Sequence, residues 1–128
     1  MAELPALPWD LRCPWCTFYI DVNARGMRGA DQGAGVEAAD LMRWRACDLF
    51  DAKQPCGAEA NMAKYLAAKA SFEAANVAIQ THGGFGFACE YDVERKFRET
   101  RLYQVAPIST NLILSYVAEH VLGLPRSF

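Results

Sequence analysis

Residues 57–81, GAEANMAKYLAAKASFEAANVAIQT, decide the fold of this chain. Apolar or small residues recur along one face of the stretch at intervals of three or four residues: Met62, Leu66, Ala70, Ala74 and Val77. That spacing predicts a long amphipathic helix. Alanine is abundant in it, which favours helix formation and lets neighbouring helices approach closely. The glycine-rich residues 82–87 end the helix, since glycine adopts backbone conformations that other residues avoid.

A second helical pattern precedes this stretch. From Val36 to Phe50, apolar residues step by three or four, and charged residues lie between them. Pro55 ends the segment, because proline cannot continue a helix and disfavours helix at the residue before it. We therefore predict a helix over about residues 36–50.

Two further helices are predicted after the glycine-rich turn. Residues 92–103 are densely charged. Opposite charges stand four residues apart there in two pairs, where they can interact: Glu94/Arg98 and Arg95/Glu99. Residues 108–122 are apolar around most of the helix circumference, so this last helix needs burial on several sides.

Four helices with short connections predict an all-α fold, an antiparallel up-down helical bundle, over residues 36–128. The preceding residues 1–35 differ, because prolines and glycines interrupt them: Pro5, Pro8, Pro14, Gly26, Gly29, Gly33 and Gly35. We predict an irregular N-terminal segment of unknown role there, with a short strand at residues 17–22.

The whole-chain composition argues against several classes of protein. The 128 residues are 52% hydrophobic and 22% charged, which are ordinary values for one globular domain. A net charge of −2, without a lysine or arginine run, indicates no nucleic-acid partner. No stretch approaches the ~20 apolar residues of a membrane span, and no secretory signal begins the chain. The five cysteines, an odd number at irregular spacing, favour free thiols in a reducing cytoplasm.

Cys13 and Cys16 form a CxxC pair, which occurs in redox sites and in zinc sites. A redox pair would need a surrounding βαβ unit, and a zinc site would need two more ligands. Neither is readable in the sequence, so a chance pair is favoured over a small redox or zinc protein. His82 is interpreted as a turn residue rather than a catalyst, and no metal ligand is assigned.

Residues 80–87, QTHGGFGF, are the strongest local signal for a binding site. A glycine-rich turn lets a phosphate or a cofactor approach the backbone closely. The turn does not follow a strand and does not open a helix at once, so it is not a dinucleotide-binding fingerprint or a phosphate-binding loop. From spacing alone, a plain helix end and turn is favoured over a cofactor contact.

Several segments, in one order, resemble the C-terminal helical domain of acyl-CoA dehydrogenases. Residues 53–64, KQPCGAEANMAK, resemble a helix connection of that family. Residues 78–87, AIQTHGGFGF, resemble its segment around a Q..GG motif. Residues 91–99, YDVERKFRE, and a closing helix at 108–124 complete the series. The resemblance extends over residues 37–128, and it implies FAD as cofactor, acyl-CoA as substrate and a homo-oligomer.

The resemblance also implies which residues contact the cofactor. In the family, the glutamine and the second glycine of Q..GG contact the adenine half of FAD across a subunit interface. These positions are Gln80 and Gly84 here, with Gly83 beside them. Ser109 and Asn111 stand where the family has a threonine and a glutamine near the flavin.

The family's usual general base corresponds to Pro107. That base is a glutamate, which removes the substrate α-proton while hydride passes to the flavin. Proline cannot accept a proton, so no catalytic residue is assigned. The family's other domains, which form most of the flavin and acyl-CoA pockets, resemble nothing in residues 1–35.

The sequence therefore predicts a partial acyl-CoA dehydrogenase, for the FAD-dependent oxidation of the α,β C–C bond of an acyl-CoA, that is inactive alone. The alternative is a non-catalytic helical oligomerisation module. It is supported by the broad apolar surface of the last helix, which must be covered by something.

Overall fold

The structure, a computed structural model of the chain, describes residues 30–126. In chain order, its helices are α1 (Ala30–Asp51), α2 (Gly57–His82), α3 (Val93–Val105) and α4 (Thr110–His120). Two short 3-10 helices, Gly83–Phe87 and Cys89–Tyr91, lie between α2 and α3. No strand occurs within residues 30–126. The predicted all-α fold is confirmed.

The first helix begins earlier than the sequence pattern indicates. The pattern predicts a start near Val36, whereas α1 begins at Ala30 and contains Gly33 and Gly35. A Cβ on Gly35 would lie 3.4 Å from the Cβ of Ala70, so α1 packs against α2 at this position. Residues 30–35 are therefore helical and pack against α2, although their glycines disfavour helix formation.

Other predictions for the N-terminal segment lie outside the described residues. They are the irregular structure up to residue 29, the strand at residues 17–22 and the chemistry of Cys13 and Cys16. Within residues 30–126, no helix combines the length and the apolar character that crossing a membrane requires.

α1 runs antiparallel to α2. Gly35, near the start of α1, lies beside Ala70 in the middle of α2. Further along α1, the guanidinium Nε of Arg45 lies 3.5 Å from a carboxylate oxygen of Glu59, near the start of α2. Residue numbers thus rise along one helix as they fall along the other, as expected for two helices joined by the short connection at residues 52–56.

α3 also runs antiparallel to α2. The ring centroids of Phe72 and Phe97 lie 5.1 Å apart, and Lys64 reaches Tyr103 near the end of α3. The guanidinium of Arg101 covers the Phe72 ring at 5.3 Å from its centroid. These contacts align α3 with residues in the first two-thirds of α2.

α4 packs against the N-terminal part of α2. Ile113, which is 1% exposed, borders a cleft together with Ala60 and Lys64. An ideal Cβ on Gly57 would lie 2.8 Å from the hydroxyl oxygen of Tyr116. Later residues of α4 therefore face earlier residues of α2, so α4 continues in the direction of α3. α2 is the central helix, against which the other three pack.

The core consists mainly of small side chains. The alanine, serine, threonine and isoleucine residues that are buried are Ala39, Ala63, Ala68, Ala70, Ser71, Ala75, Thr100 and Ile113. Small side chains allow close packing of helix axes. Of the predicted apolar face of α2, Ala70 is buried, whereas Val77 is 40% exposed. The difference arises because three helices cover α2 from different directions, so its buried surface is not a single stripe.

Candidate functional site

The glycine-rich turn begins where α2 ends. Gly83 has a φ of +57° and a ψ of −135°, a conformation that is costly for any residue with a side chain. Its N–H donates to the carbonyl oxygen of Gln80 and caps the helix. Gly83 is therefore required by the helix end itself, as the plain-turn interpretation predicts.

Gly86 has a different structural role. It is buried, and an added Cβ would lie 2.9 Å from the carbonyl oxygen of Ile79 and 3.1 Å from its Cα. Both atoms belong to the backbone, which cannot move aside cheaply. Glycine at this position thus lets the 3-10 helix fold back against α2.

Gly84 is not required by the fold of the described residues. Its backbone does not have a positive φ, and an added Cβ would meet no heavy atom within 4 Å. The position is exposed, so a group from outside the chain could approach the backbone here more closely than a side chain would permit.

The polar side chains around this turn differ in how they are engaged. The Thr81 hydroxyl donates to the carbonyl of Val77 at 2.9 Å. Nδ1 of His82 lies 2.9 Å from the carbonyl oxygen of Ala78, and because a carbonyl only accepts, Nδ1 carries the proton. His82 therefore acts as a turn residue bonded to its own helix. Gln80 is exposed, and its side-chain amide has no hydrogen bond to residues 30–126.

Exposed aromatic rings border the turn. Phe85 and Tyr91 have ring centroids 5.6 Å apart, and they are 66% and 52% exposed. Phe87 is 72% exposed. Exposed aromatic groups of this kind are typical of surfaces that contact a ligand or another protein.

The second group of candidate residues lies at the start of α4. Ser109 is the N-cap, and its hydroxyl oxygen accepts a hydrogen bond from the N–H of Leu112 at 3.3 Å. Asn111 is exposed and is the second residue of α4. Pro107 follows a cis peptide bond and is exposed.

The structure does not bring the two groups together within one chain. Gln80, Gly83 and Gly84 lie at the C-terminal end of α2. The start of α4 lies beside Lys64, because both border the same cleft. Positions 64 and 80 are sixteen residues apart in α2 (80 − 64), which corresponds to about 24 Å along the helix axis.

Lys64 connects the central helix to the end of α3. Its ammonium donates to the carbonyl oxygen of Tyr103. Burial lowers the pKa of Lys64, because desolvation disfavours its charged form. Burial, and then the charge of Glu99, raise the pKa of the Tyr103 hydroxyl. Lys64 is not predictable as a contact residue from the sequence, because a lysine within a helix carries no signal of a contact 39 residues away.

The predicted ion pairs of α3 are confirmed. Arg98 donates two hydrogen bonds to the carboxylate of Glu94, at 2.7 Å and 3.0 Å. Arg95 donates to the carboxylate of Glu99 at 2.7 Å. The hydrogen bond from Arg98 lowers the pKa of Glu94. Arg98 is 69% exposed at its side chain, so it lies on a solvated helix face.

Among the described residues, no three histidine, cysteine, aspartate or glutamate side chains gather as a metal site would require. The thiols of Cys56 and Cys89 are free, and they belong to different parts of the fold.

Comparison with known proteins decides the family. Residues 25–122 match the family described as "Acyl-CoA dehydrogenase, C-terminal domain". The chain belongs to the acyl-CoA dehydrogenase family. The resemblance to this family is therefore confirmed, and the match begins at residue 25, earlier than the resemblance over residues 37–128 indicated.

Two members of the acyl-CoA dehydrogenase family illustrate the similarity. Acyl-CoA dehydrogenase FadE12 of Mycobacterium tuberculosis is 46% identical over 95 residues, which are 73% of this chain and 24% of that protein. The mitochondrial short-chain specific acyl-CoA dehydrogenase of Homo sapiens is 36% identical over 98 residues, which are 77% of this chain and 24% of that protein. The chain thus spans about a quarter of the length of these curated relatives.

A solved structure supports the fold. The chain described as "Electron transferring flavoprotein of Acidaminococcus fermentans: Towards a mechanism of flavin-based electron bifurcation" superposes with a TM-score of 0.67. The match covers 84% of this chain and 32% of that chain, at 21% identity. At this identity, the likeness concerns the helical fold alone.

Proposed function

We propose that the chain is the C-terminal helical part of an FAD-dependent acyl-CoA dehydrogenase, in which it contacts the cofactor and takes part in a homo-oligomer. The complete enzyme would oxidise the α,β C–C bond of an acyl-CoA. FAD supplies the hydride acceptor when bound. The family match supports the class of reaction. The free thiols of Cys56 and Cys89 support a reducing compartment such as the cytoplasm.

One observation carries the proposed cofactor contact, namely the open backbone at Gly84 beside the exposed amide of Gln80. The fold of the described residues does not need glycine at position 84. The amide of Gln80 can both donate and accept, which suits the mixed donors and acceptors of a dinucleotide. The arrangement fits an extended polar cofactor that lies over the turn, and Gly83 contributes the sharp change of chain direction.

The distance between the two candidate groups supports an assembly of more than one chain. Ser109 and Asn111 are about 24 Å along α2 from the glycine-rich turn. We propose that the turn of one subunit contacts the adenine half of FAD, and that Ser109 and Asn111 of another subunit lie near the flavin of the same cofactor. A site divided in this way would be incomplete in a monomer.

Pro107 limits the part that this segment takes in catalysis. A proline has no group that accepts a proton, so the α-proton of the substrate cannot pass to position 107. We therefore propose that this chain binds and orients the cofactor and contributes no general base from the α3–α4 connection. By itself, the chain is inactive.

A second function is favoured by the surface of α4. Large apolar side chains remain exposed on and just beyond this helix: Leu112, Leu114, Val121, Leu122 and Leu124. Such a surface is typical of a protein interface. The chain would then be a non-catalytic helical oligomerisation module. Both functions predict self-association, and only the first predicts contact with FAD.

The test is a chimaera in which residues 30–126 replace the matching region of the human short-chain specific acyl-CoA dehydrogenase. FAD retained per subunit is measured by visible absorbance after gel filtration. We expect the chimaera to keep FAD, and we expect Gln80→Ala and Gly84→Val to reduce retention. Gln54→Ala, an exposed glutamine in the α1–α2 connection, is the matched control and should retain FAD as the parent does.

Two results would decide against the first function. A chimaera that assembles but holds no FAD supports the oligomerisation module instead. Equal FAD retention in the Gln80, Gly84 and Gln54 variants would remove the proposed contact. For catalysis, we expect Pro107→Glu to raise the turnover of the chimaera by about 10²–10⁴-fold, the usual contribution of a positioned general base. If the chimaeras with proline and with glutamate at position 107 have equal turnover, the general base is another residue.

A further inference from the structure

A cleft lies at the end of α2 opposite the glycine-rich turn. It has a volume of 210 Å³ and is open to solvent on one side. The residues that line it come from the first turns of α2, the α3–α4 connection and α4: Ala60, Asn61, Lys64, Pro107, Ile108 and Ile113. None of the candidate cofactor residues lines the cleft, and Gln80, Gly83 and Gly84 lie at the other end of α2. Ser109 directly follows Ile108, one of the lining residues.

Lys64 brings a positive charge to this cleft without a matching negative charge. Its ammonium has three protons to donate, and the carbonyl of Tyr103 accepts one of them. No carboxylate of residues 30–126 forms an ion pair with it. The side chain is half-buried. Partial burial removes some of the water around this charge, so an anion from outside the chain would interact with it more favourably than with a fully exposed lysine.

The remaining walls define the rest of the ligand. Ala60, Pro107, Ile108 and Ile113 present apolar surface. The amide of Asn61 already donates to the carbonyl of Gly57 at 2.8 Å. One cation against apolar walls suits a group with one negative charge and a hydrocarbon tail better than it suits a phosphate, which needs several donors. The volume is below the ~300 Å³ at which pockets for drug-sized ligands begin, so the ligand has few heavy atoms.

We propose that this cleft binds a short-chain monocarboxylate. The carboxylate accepts hydrogen bonds from the ammonium of Lys64, and the tail packs against Ile108 and Ile113. Binding of the carboxylate would neutralise a charge that the fold leaves half-buried. This inference rests on the cleft alone and does not depend on the proposed contact with FAD.

The test uses the full 128-residue chain and sodium butyrate as the probe. Butyrate is titrated while the backbone amide signals of the chain are followed by NMR, with sodium chloride held at matching ionic strength. We expect saturable shifts at positions 60–64 and 113. Butan-1-ol, which has the tail but no charge, should bind at least about tenfold more weakly, since a lost charged hydrogen bond is worth a decade or more in affinity.

Three variants distinguish the contribution of the Lys64 charge from that of the cleft volume. Lys64→Met removes the ammonium and should weaken butyrate binding at least about tenfold. Ala60→Leu keeps the charge and fills the cleft, and it should weaken binding to a similar extent. Leucine is a good helix former and position 60 is exposed, so this variant tests the proposal even if Lys64→Met folds poorly. Lys69→Met is the control, because Lys69 is an exposed lysine of the same helix paired with Glu73.

The outcomes are distinct. Loss of binding in the first two variants, with retention in Lys69→Met, supports the cleft as the site. Three results would each overturn the proposal: no saturable shift with butyrate, equal affinity for butan-1-ol, or equal affinity in the Ala60→Leu variant. A result against butyrate leaves the FAD comparison of the Gln80 and Gly84 variants unaffected, because those two residues lie at the other end of α2.

Discussion

The ammonium of Lys64 donates a hydrogen bond to the carbonyl oxygen of Tyr103. In a continuous helix this carbonyl would accept from the N–H of the residue four positions later, but that residue is Pro107, which has none. A side chain from α2 therefore satisfies a carbonyl that proline leaves without its helical donor. The same contact holds the end of α3, and hence the start of the segment that leads to Ser109, against the central helix.

Replacement of Lys64 by methionine should destabilise the fold. The carbonyl of Tyr103 would lose its donor in a partly buried position, which costs about 1–3 kcal/mol. Urea denaturation followed by circular dichroism measures the change in the free energy of unfolding. Lys69→Met, on an exposed part of α2, should change it by less than about 0.5 kcal/mol. Equal effects of the two variants would show that the Lys64–Tyr103 bond contributes nothing specific.

The glycines of the turn should respond differently to alanine. Gly86→Ala places a Cβ 2.9 Å from the carbonyl oxygen of Ile79, and we expect a loss of about 1–3 kcal/mol in stability. In Gly84→Ala the added Cβ meets no atom within 4 Å, so the variant should be as stable as the parent or more stable by up to about 1 kcal/mol. A gain would arise because alanine lowers the conformational entropy of the unfolded chain. Thermal unfolding of the two variants provides the comparison. A large loss at Gly84 would mean that the fold itself requires this glycine.

Ser109 should contribute to stability as a helix cap in addition to any contact with a cofactor. Ser109→Ala removes the acceptor for the N–H of Leu112 and should cost about 1 kcal/mol. Ser109→Asp keeps an acceptor at the same position and should retain most of the stability. Chemical denaturation distinguishes the two variants. If both lose the same amount, the hydroxyl does not act as a cap.

Acid should titrate the exposed ion pair of α3. The hydrogen bond from Arg98 lowers the pKa of Glu94 below its ordinary value of 4.5. A carboxyl whose folded pKa is lowered adds stability above its unfolded pKa, and that stability is lost as pH falls through the folded pKa. NMR titration of the Glu94 carboxyl should show a pKa that returns toward 4.5 in Arg98→Gln. Arg98→Lys should give an intermediate value, and no change in either variant would contradict the pairing.

Local patterns in the sequence predicted the helices and their charged contacts. Helical spacing along residues 57–81 depends only on neighbours three or four positions apart, and α2 follows it closely. The ion pairs Glu94/Arg98 and Arg95/Glu99 were predictable for the same reason. The order of short segments was also sufficient to recognise the family. The cofactor residues Gln80, Gly83, Gly84, Ser109 and Asn111 remain predictions from that resemblance.

Spatial relationships required the tertiary structure. α1 begins at Ala30 in spite of its glycines, and Gly35 lies close to α2 there. The structure also distinguished three glycines that look equivalent in the sequence, because only a folded chain shows that Gly86 contacts Ile79 and that Gly84 faces open space.

The sequence by itself thus determined which segments are helical and to which family the chain belongs, since both depend on local spacing and residue order. Only the tertiary structure decided that Lys64 caps the end of α3 at Tyr103, and that the two groups of candidate cofactor residues lie at different places along α2. The physical reason is that these relationships join residues far apart in the chain, and their distances are set by how the helices pack against α2.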